Sequence, residues 1–297
     1  MTGSMFLQHF TNALSVASLY ALLAIGYTMV YGILRLINFA HGEIFMMGMY
    51  FAYFGIAMFH LPWFVSFIIA IIITALLGVA AERLAYRPLR DAPRISILIS
   101  AIAVSYFLQN FATVLFGGRP LMFQQIPLLT TIMQLGPIRV PRLTLIVPAV
   151  TILLLVGLQF LLKKTKTGMA MRAVSRDYDA ARLMGIDLNF TIAMTFFIGS
   201  ALAGVGAILW GLKYPQIKPD VGSMPGIKCF IAAVLGGIGN TTGAVLGGFV
   251  LGFAEIMFVA FFPAASGYRD AVAFILLILI LLVLPAGLLG KNTTEKV

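Results

Sequence analysis

The sequence predicts an all-α polytopic membrane protein in which residues 1–297 form one transmembrane domain. Composition is the first observation, because 61% of the residues are hydrophobic and only 10% are charged, against about 25% charged in typical soluble domains. The second is that apolar stretches long enough to cross a bilayer recur along the chain. The third is that basic residues lie in loops between these stretches, which marks a cytoplasmic side. Together they predict about eight or nine membrane segments, including broken or half-helices.

The N-terminal part of the chain predicts a first span over residues 10–34, with Gly26 and Gly32 at points where another helix can approach closely. A polar group then interrupts the apolar sequence before it resumes at residues 44–59. This group consists of Arg35, Asn38, His41 and Glu43. Two interpretations are open: a tight turn at the cytoplasmic level, or a broken helix that lines a translocation path.

Three further spans and a basic loop are predicted in the middle of the chain. A third span follows the turn at residues 60–63 and ends at about residue 86, and two more occupy residues 95–116 and 143–162. The loop between the third and fourth spans carries a cluster of arginines: Arg83, Arg87, Arg90 and Arg94. Such a loop is typical of the cytoplasmic side, and we therefore expect residues 117–142, one span later, to be external.

The longest polar passage, residues 163–187, carries a second basic cluster. Its cationic members are Lys163, Lys164, Lys166, Arg172, Arg176 and Arg182. The positive-inside rule therefore places this loop in the cytoplasm as well. Within it we expect one short helix over residues 175–185, capped by Ser175, with Asp177 in its positive first turn and Gly185 at its end.

Small and apolar side chains on this expected helix indicate contact with another molecule. They are Ala180, Ala181, Leu183 and Met184. An exposed helix of this kind fits a groove on a partner protein. The alternative is a helix that merely connects two spans.

The last third of the chain contains a second irregularity. After a span over residues 191–212 and an expected external turn over residues 213–226, the apolar stretch 227–235 is too short to cross the bilayer. It breaks in the glycine-rich residues 236–243 before a full-length span over residues 244–262. Glycines at such a place favour either a transport site in a discontinuous helix or close packing of helices, and the two can coexist. Residues 271–284 predict the last span, and residues 285–297 a cytoplasmic tail.

No catalytic, metal-binding or cofactor-binding group is expected on this chain. The single cysteine, Cys229, excludes an internal disulfide and any CxxC motif. The pair formed by His41 and Glu43 lacks the cysteines that a zinc deaminase needs, and no GxxxxGK[ST] sequence is present to bind ATP. Few acidic residues lie within spans, which disfavours coupling to protons or sodium. The net charge of +10 is explained by the basic loops, so no nucleic-acid partner is expected.

Three stretches carry a resemblance to a known family. Residues 26–50, GYTMVYGILRLINFAHGEIFMMGMY, resemble the opening of the branched-chain amino acid ABC permeases of the LivH type. Residues 165–187 are similar to the cytoplasmic loop through which these permeases couple to an ATPase, and residues 232–252 to their late glycine-rich motif. One departure is LPAGLLG at residues 284–290, where the family suggests an arginine before the proline, and this concerns the anchoring of the tail.

The resemblance implies an ABC importer permease in the bacterial inner membrane that moves leucine, isoleucine or valine. It also implies partners: the lipid bilayer, a related second permease subunit of the LivM type, two cytoplasmic ATPase subunits that use ATP, and a periplasmic amino-acid-binding protein. The residues expected along the substrate pathway are Asn38, His41, Gly42, Glu43, Gly236, Gly237, Gly239 and Asn240. Those expected to couple to the ATPase are Arg172, Asp177, Ala180, Ala181, Leu183 and Gly185.

Alternative functions remain open. Relatives with the same fold carry urea, short amides or other amino acids, and a passive channel would be a different class altogether. For a permease, we expect both breaks, at residues 38–43 and 236–243, to approach the bilayer interior, where half-helix ends meet the charges of the cargo.

Overall fold

The computed structural model describes residues 3–34, 37–90, 92–136 and 138–290. Arg35, in the first polar interruption, and residues 291–297 of the tail lie outside the described residues. Twelve helices form the described part of the chain. They are α1 (Gly3–Leu34), α2 (Ala40–Ala57), α3 (Trp63–Ala81), α4 (Arg94–Phe116), α5 (Pro127–Thr130), α6 (Leu143–Lys164), α7 (Lys166–Arg176), α8 (Tyr178–Leu183), α9 (Leu188–Lys213), α10 (Ser223–Gly236), α11 (Thr241–Phe261) and α12 (Arg269–Val283).

Among the described residues, seven helical stretches are long and apolar enough to cross a membrane. They correspond to α1, α3, α4, α6, α9, α11 and α12, where α3 continues to Leu89 and the α12 stretch starts at Pro263. Helix α10 has 14 residues and is too short to span by itself, and α2 carries His41 and Glu43 in its first turn. Nine membrane segments result, in agreement with the predicted eight or nine.

Helix α1 lies at the centre of the bundle, since 94% of its most apolar window is buried. It packs on α11 because small residues face each other: a Cβ on Gly248 would lie 2.5 Å from the Ala21 nitrogen, and one on Gly252 would overlap Ala17. Helix α9 approaches in the same way, and a Cβ on Gly26 would lie 2.7 Å from the Gly199 carbonyl oxygen. Close backbone contact of this kind holds transmembrane helices together, and it confirms the packing role expected of the glycines.

The peripheral helices α3, α4, α6 and α12 leave broad apolar faces exposed. In the stretch that contains α12, only 6% of the most apolar window is buried. Leu282 and Val283 near its end are largely exposed, as are Leu153 in α6 and Val114 in α4. Such faces suit contact with lipid or with another membrane subunit.

The two basic loops lie at the same end of the molecule. The Arg90 guanidinium, which follows α3, donates a hydrogen bond to the Asn189 side-chain oxygen at 2.8 Å, at the start of α9. It also pairs with Glu82. The Tyr178 hydroxyl in α8 donates to the Ile33 carbonyl at 2.5 Å, at the end of α1. These contacts agree with the prediction that both loops lie on the same side.

The opposite end carries short extended segments. Strand β1 (Leu121–Met122) pairs antiparallel with β4 (Gln216–Ile217), and β2 (Ile132–Leu135) forms a hairpin with β3 (Ile138–Pro141). Next to them, the Lys213 ammonium donates to Asn12 and Ser15 of α1 at 3.0 and 2.8 Å. These segments cover the end of the bundle, whose membrane region remains all-α.

Candidate functional site

The first polar interruption lies deep inside the bundle. Helix α1 ends at Leu34, yet His41 packs against Gly26, which lies eight residues, or about 12 Å of helix, before that end. The chain therefore turns back along α1 before α2 begins. Asn38, His41 and Glu43 are all buried, the Glu43 residue to 2% exposure. The described residues thus show a break between α1 and α2 after which the chain re-enters the bundle, and a place for this break along a translocation path stays a prediction.

Helix α10 meets this break with its own N-terminus. A Cβ on Gly42 would overlap the Gly222 carbonyl oxygen and lie 3.0 Å from the Gly226 Cα, so the helix starts touch backbone to backbone. The predicted half-helix over residues 227–235 is thus longer, Ser223–Gly236. The predicted external turn over residues 213–226 is wrong at its C-terminal end, because α10 begins at Ser223 and folds into the bundle. The segment resembles a surface turn in its sequence because it is rich in Pro and Gly, as surface loops are.

This meeting point, which we call the α2–α10 junction, consists of the first turns of α2 and α10 and the residues just before them. Ser223 donates a hydrogen bond to Glu43 Oε1 at 3.1 Å. Asn38 Oδ1 accepts from the Ala40 amide at 3.1 Å and from the Tyr86 hydroxyl at 2.8 Å. The His41 ring lies against Gly26 of α1.

Three buried polar atoms at the junction have no hydrogen-bond partner within the described part of the chain: Asn38 Nδ2, His41 Nε2 and Glu43 Oε2. Buried polar atoms are paired in the great majority of cases, and each exception calls for an explanation. Asn38 and Glu43 also line a small cavity of about 120 Å³. The remaining lining residues are Tyr27, Phe39, Ser105, Gly222, Ser223, Gly226, Ile227 and Phe230. The junction is therefore a partly polar space inside an apolar bundle.

The N-cap residues of both helices at the junction provide no side-chain cap, although Asn38 Oδ1, one residue earlier in the chain, accepts from the first amide of α2. The residues before the first turns, Phe39 and Gly222, offer no side-chain acceptor to the free amide groups. At the basic end, by contrast, Asp177, Asp187 and Asn240 cap α8, α9 and α11. Each helix N-terminus carries about half a positive charge. Because the N-termini of α2 and α10 meet at the junction, Glu43 lies beside two partial positive charges.

The second break lies at a different depth along the bundle from the first, and its approach to the bilayer interior stays a prediction. Gly226 and Gly236 are ten residues apart, which is about 15 Å along α10. Gly239 instead faces Gly32, two residues before the end of α1. Gly239 and Asn240 line a cavity of about 650 Å³ at the basic end. Gln159, Lys163 and Arg172 are among its other lining residues.

The C-terminal segment is held at this second break by its backbone. The amides of Leu288 and Leu289 donate to the carbonyls of Leu235 and Gly236 at 2.8 and 3.0 Å. Gly237 has a φ of +100°, and a Cβ there would lie 2.5 Å from the Gly290 nitrogen. The tail up to Gly290 is therefore anchored without the arginine that the family pattern suggests.

A buried ionic cluster joins α1, α10, α11 and α12. Glu255 in α11 is fully buried, and Lys228 in α10 lies 2.8 Å from its Oε1. Arg269 Nε and the Tyr20 hydroxyl both reach Glu255 Oε2 at 2.9 Å. Lys228 also pairs with Asp270 at 2.7 Å. Sequence reasoning missed Lys228, although one lysine inside a short apolar stretch is the signal that marks it.

The polar segment between α6 and α9 forms two helices, so the predicted single helix over residues 175–185 is wrong. Asp177 adopts an extended conformation and its side chain accepts from the Ala180 amide at 2.9 Å, which caps α8. Ser175 does not cap a helix, because its hydroxyl donates to the Arg172 carbonyl within α7. Gly185 follows α8 with a φ of +78°, as its expected role as a helix stop requires.

The exposed surface of α8 differs from the expected one. Leu183 and Met184 are 88% and 82% exposed, whereas Ala181 is buried at 4%. Ala181 thus faces its own chain, and its expected contact with a partner is wrong. Ala180 and Arg172 are exposed. Of the apolar side chains expected to make contact, Leu183 and Met184 are thus the exposed ones.

Comparisons with known proteins agree over the length of the chain. The profile of the family described as "Branched-chain amino acid transport system / permease component" matches residues 9–281. The high-affinity branched-chain amino acid transport system permease protein BraD of Pseudomonas aeruginosa is 42% identical over 98% of both chains. LivH of Salmonella typhimurium, which has the same description, is also 42% identical over 98% of both.

A solved structure shares the fold at low sequence identity. It is described as PsaBC from Streptococcus pneumoniae in complex with Fab, and it aligns with a TM-score of 0.50 at 15% identity. The alignment covers 92% of this chain and 91% of the other. This likeness concerns the course of the helices alone.

Proposed function

The chain belongs to the family of branched-chain amino acid transport permease components, and on that premise we propose that it is the permease subunit of an ATP-driven importer for leucine, isoleucine and valine. The observation that carries the proposal is the similarity to BraD, which extends over 98% of both chains at 42% identity. The multi-pass architecture agrees with it, and we place the protein in a bacterial inner membrane.

We propose that the complex contains a related second permease subunit, two ATPase subunits and a periplasmic binding protein. The broad apolar faces of α3, α4, α6 and α12 support the presence of a membrane partner. ATP would be bound and hydrolysed by the ATPase subunits, and this chain would contribute no catalytic group and bind no cofactor.

The ATPase contact that we propose is the surface of α8. Leu183 and Met184 project from it, and both lie at the end of the molecule where the basic loops meet. Apolar side chains that are exposed in a polar segment outside the spans favour insertion into a groove of another protein. Asp177 and Gly185 fix the two ends of this short helix.

The proposed route of the amino acid passes the α2–α10 junction, where Asn38, His41, Gly42 and Glu43 gather. Gly239 and Asn240 line the larger cavity at the basic end, which suits the exit. Gly236 and Gly237 have a different task, since they hold the C-terminal segment.

The test is uptake in a bacterial strain that lacks its own branched-chain amino acid importers. The chain is expressed with the second permease, ATPases and binding protein of its own genome, and uptake of labelled leucine, urea and acetamide is compared. We expect leucine uptake that disappears when this chain is omitted. Urea or amide uptake without leucine uptake would contradict the proposed substrate, and leucine flux without ATP would indicate a passive channel.

A further inference from the structure

Glu43 has a position that the family assignment does not explain. Resting on the proposed function, we propose that the Glu43 carboxylate receives the α-ammonium group of the amino acid as it passes the α2–α10 junction. The α-carboxylate of the cargo would then face the N-termini of α2 and α10.

The first argument is the missing countercharge. Burying a carboxylate is costly unless it is paired with a cation and hydrogen-bonded. Glu43 is 2% exposed, and within the described part of the chain it has one partner, the Ser223 hydroxyl, and no ion pair with a lysine or arginine. Its second oxygen has no hydrogen-bond partner there. The carboxylate is thus available to a cation that comes and goes.

The second argument is the arrangement of opposite charges. The free amides of a helix N-terminus bind anions such as carboxylates, and in transporters half-helix N-termini face the anionic groups of substrates. Helices α2 and α10 bring their N-termini together at Gly42, Gly222 and Gly226, and neither N-cap residue caps its helix with a side chain. A carboxylate beside two positive helix ends matches a zwitterion, which carries an ammonium and a carboxylate on one carbon.

The third argument is the cavity itself. Its lining pairs the polar Asn38, Glu43 and Ser223 with the apolar Ile227 and Phe230, as an amino acid with an aliphatic side chain requires. Its volume of about 120 Å³ is well below the roughly 300–1,000 Å³ of pockets that enclose a whole ligand. Binding should therefore be transient, and a transport route needs weak sites so that it can release its cargo.

A structural alternative must be separated from this role, because Glu43 also lies in the first turn of α2 and could merely balance the two helix ends. The experiment uses the complete complex in proteoliposomes with the substrate that the wild type carries. Glu43→Gln removes the charge and keeps the shape. The matched control is Asp220→Asn, the same change at an exposed acid that pairs with Lys218.

We expect Glu43→Gln to lower uptake per ATP hydrolysed by at least about tenfold, the loss that follows from about 1.4 kcal/mol of interaction. ATP hydrolysis stimulated by the loaded binding protein should remain, and Asp220→Asn should transport normally. Wild-type uptake by an assembled Glu43→Gln complex would overturn the inference. The proposed function would stand in that case, because it rests on uptake by the wild type.

A second measurement decides the outcome if Glu43→Gln does not assemble. Ser223→Cys on a Cys229→Ala background places the only thiol of the chain at the cavity while Glu43 stays intact. We expect substrate-loaded binding protein, with a non-hydrolysable ATP analogue, to slow thiol labelling at least about twofold relative to unloaded binding protein, since cargo would occupy the cavity. Equal labelling rates would assign Glu43 to folding alone and overturn the inference.

Discussion

Two buried carboxylates of this protein have opposite surroundings. Glu255 in α11 contacts two cations and a tyrosine hydroxyl, and through Lys228 it links α10 to α12. Glu43 in α2 accepts one hydrogen bond from Ser223. Both lie among apolar helices, where an unpaired charge is unfavourable. The Glu255 cluster therefore holds helices together, whereas the junction around Glu43 has fewer contacts, as the proposed passage of a charged group requires.

The largest effect is expected when the cluster is broken. Glu255→Gln keeps the shape of the side chain but leaves Lys228 and Arg269 without their shared carboxylate. Removal of one partner from a buried ion pair typically costs about 3–5 kcal/mol. We expect a marked fall in the thermal unfolding temperature of the detergent-solubilised protein and in its yield. An unchanged unfolding temperature would contradict the comparison, because the Glu255 cluster would then contribute no more to stability than the junction around Glu43 does.

The next effect concerns the contact that forms the junction. Gly42→Ala places a methyl group on the Gly222 carbonyl, and such overpacking typically costs about 1–3 kcal/mol. The methyl group fits only if α2 and α10 move apart at the junction. We therefore expect substrate uptake to fall more than the free energy of unfolding.

The control for Gly42 is another glycine inside a helix. Gly157→Ala in α6 meets no atom within 4 Å and should be neutral or stabilising by up to about 1 kcal/mol, since alanine favours helix more than glycine does. If the two variants gave equal uptake in proteoliposomes and equal unfolding temperatures, the close contact at Gly42 would have no importance.

A third test asks whether transport can fail while both buried sites remain intact. Leu183→Glu changes an exposed side chain of α8, so the free energy of unfolding should change by less than about 0.5 kcal/mol. We expect co-purification of the ATPase and substrate uptake to fall together. Ala181→Glu is the contrasting variant, because its buried position makes a loss of folded protein the expected result. Normal ATPase co-purification by Leu183→Glu would remove α8 from the proposed interface.

The smallest effect is expected for the stability of Glu43→Gln. Among the described residues Glu43 has one hydrogen bond and no cation, so it should lose little when it becomes an amide, and we expect a change of less than about 1 kcal/mol. Thermal unfolding of this variant beside Glu255→Gln compares the two carboxylates directly. Equal losses of stability in both variants would show that Glu43, too, is chiefly structural.

The sequence predicted those features of the fold that depend on composition and on local residues. Hydropathy located the spans because their length is set by the bilayer, and the polar interruption at Asn38 and Glu43 stood out within an apolar region. The basic loops at Arg90 and Lys166 were correctly placed on one side.

Other features depend on contacts between distant residues and could not be predicted in this way. Ser223 and Gly226 looked like a surface turn, because only the three-dimensional fold brings them against Gly42. The break at Asp177 was missed because aspartate is as typical of a first helical turn as of a cap. The Lys228–Glu255 pair joins residues on different helices, so its contribution to stability could not be predicted before the fold showed that the two side chains meet.

The attachment of the C-terminal segment has a consequence for the biogenesis of the protein. Helix α10 is synthesised long before Leu288 and Leu289, whose amides complete the bonding of its last carbonyls. Until those residues emerge, the inner end of α10 has no such donors. A chain that is cut before Leu288 would lack the two amides that donate to the carbonyls of Leu235 and Gly236, so the end of α10 would be less stable. Because the contact uses the backbone amides of Leu288 and Leu289, it can form only after the chain has been synthesised at least that far.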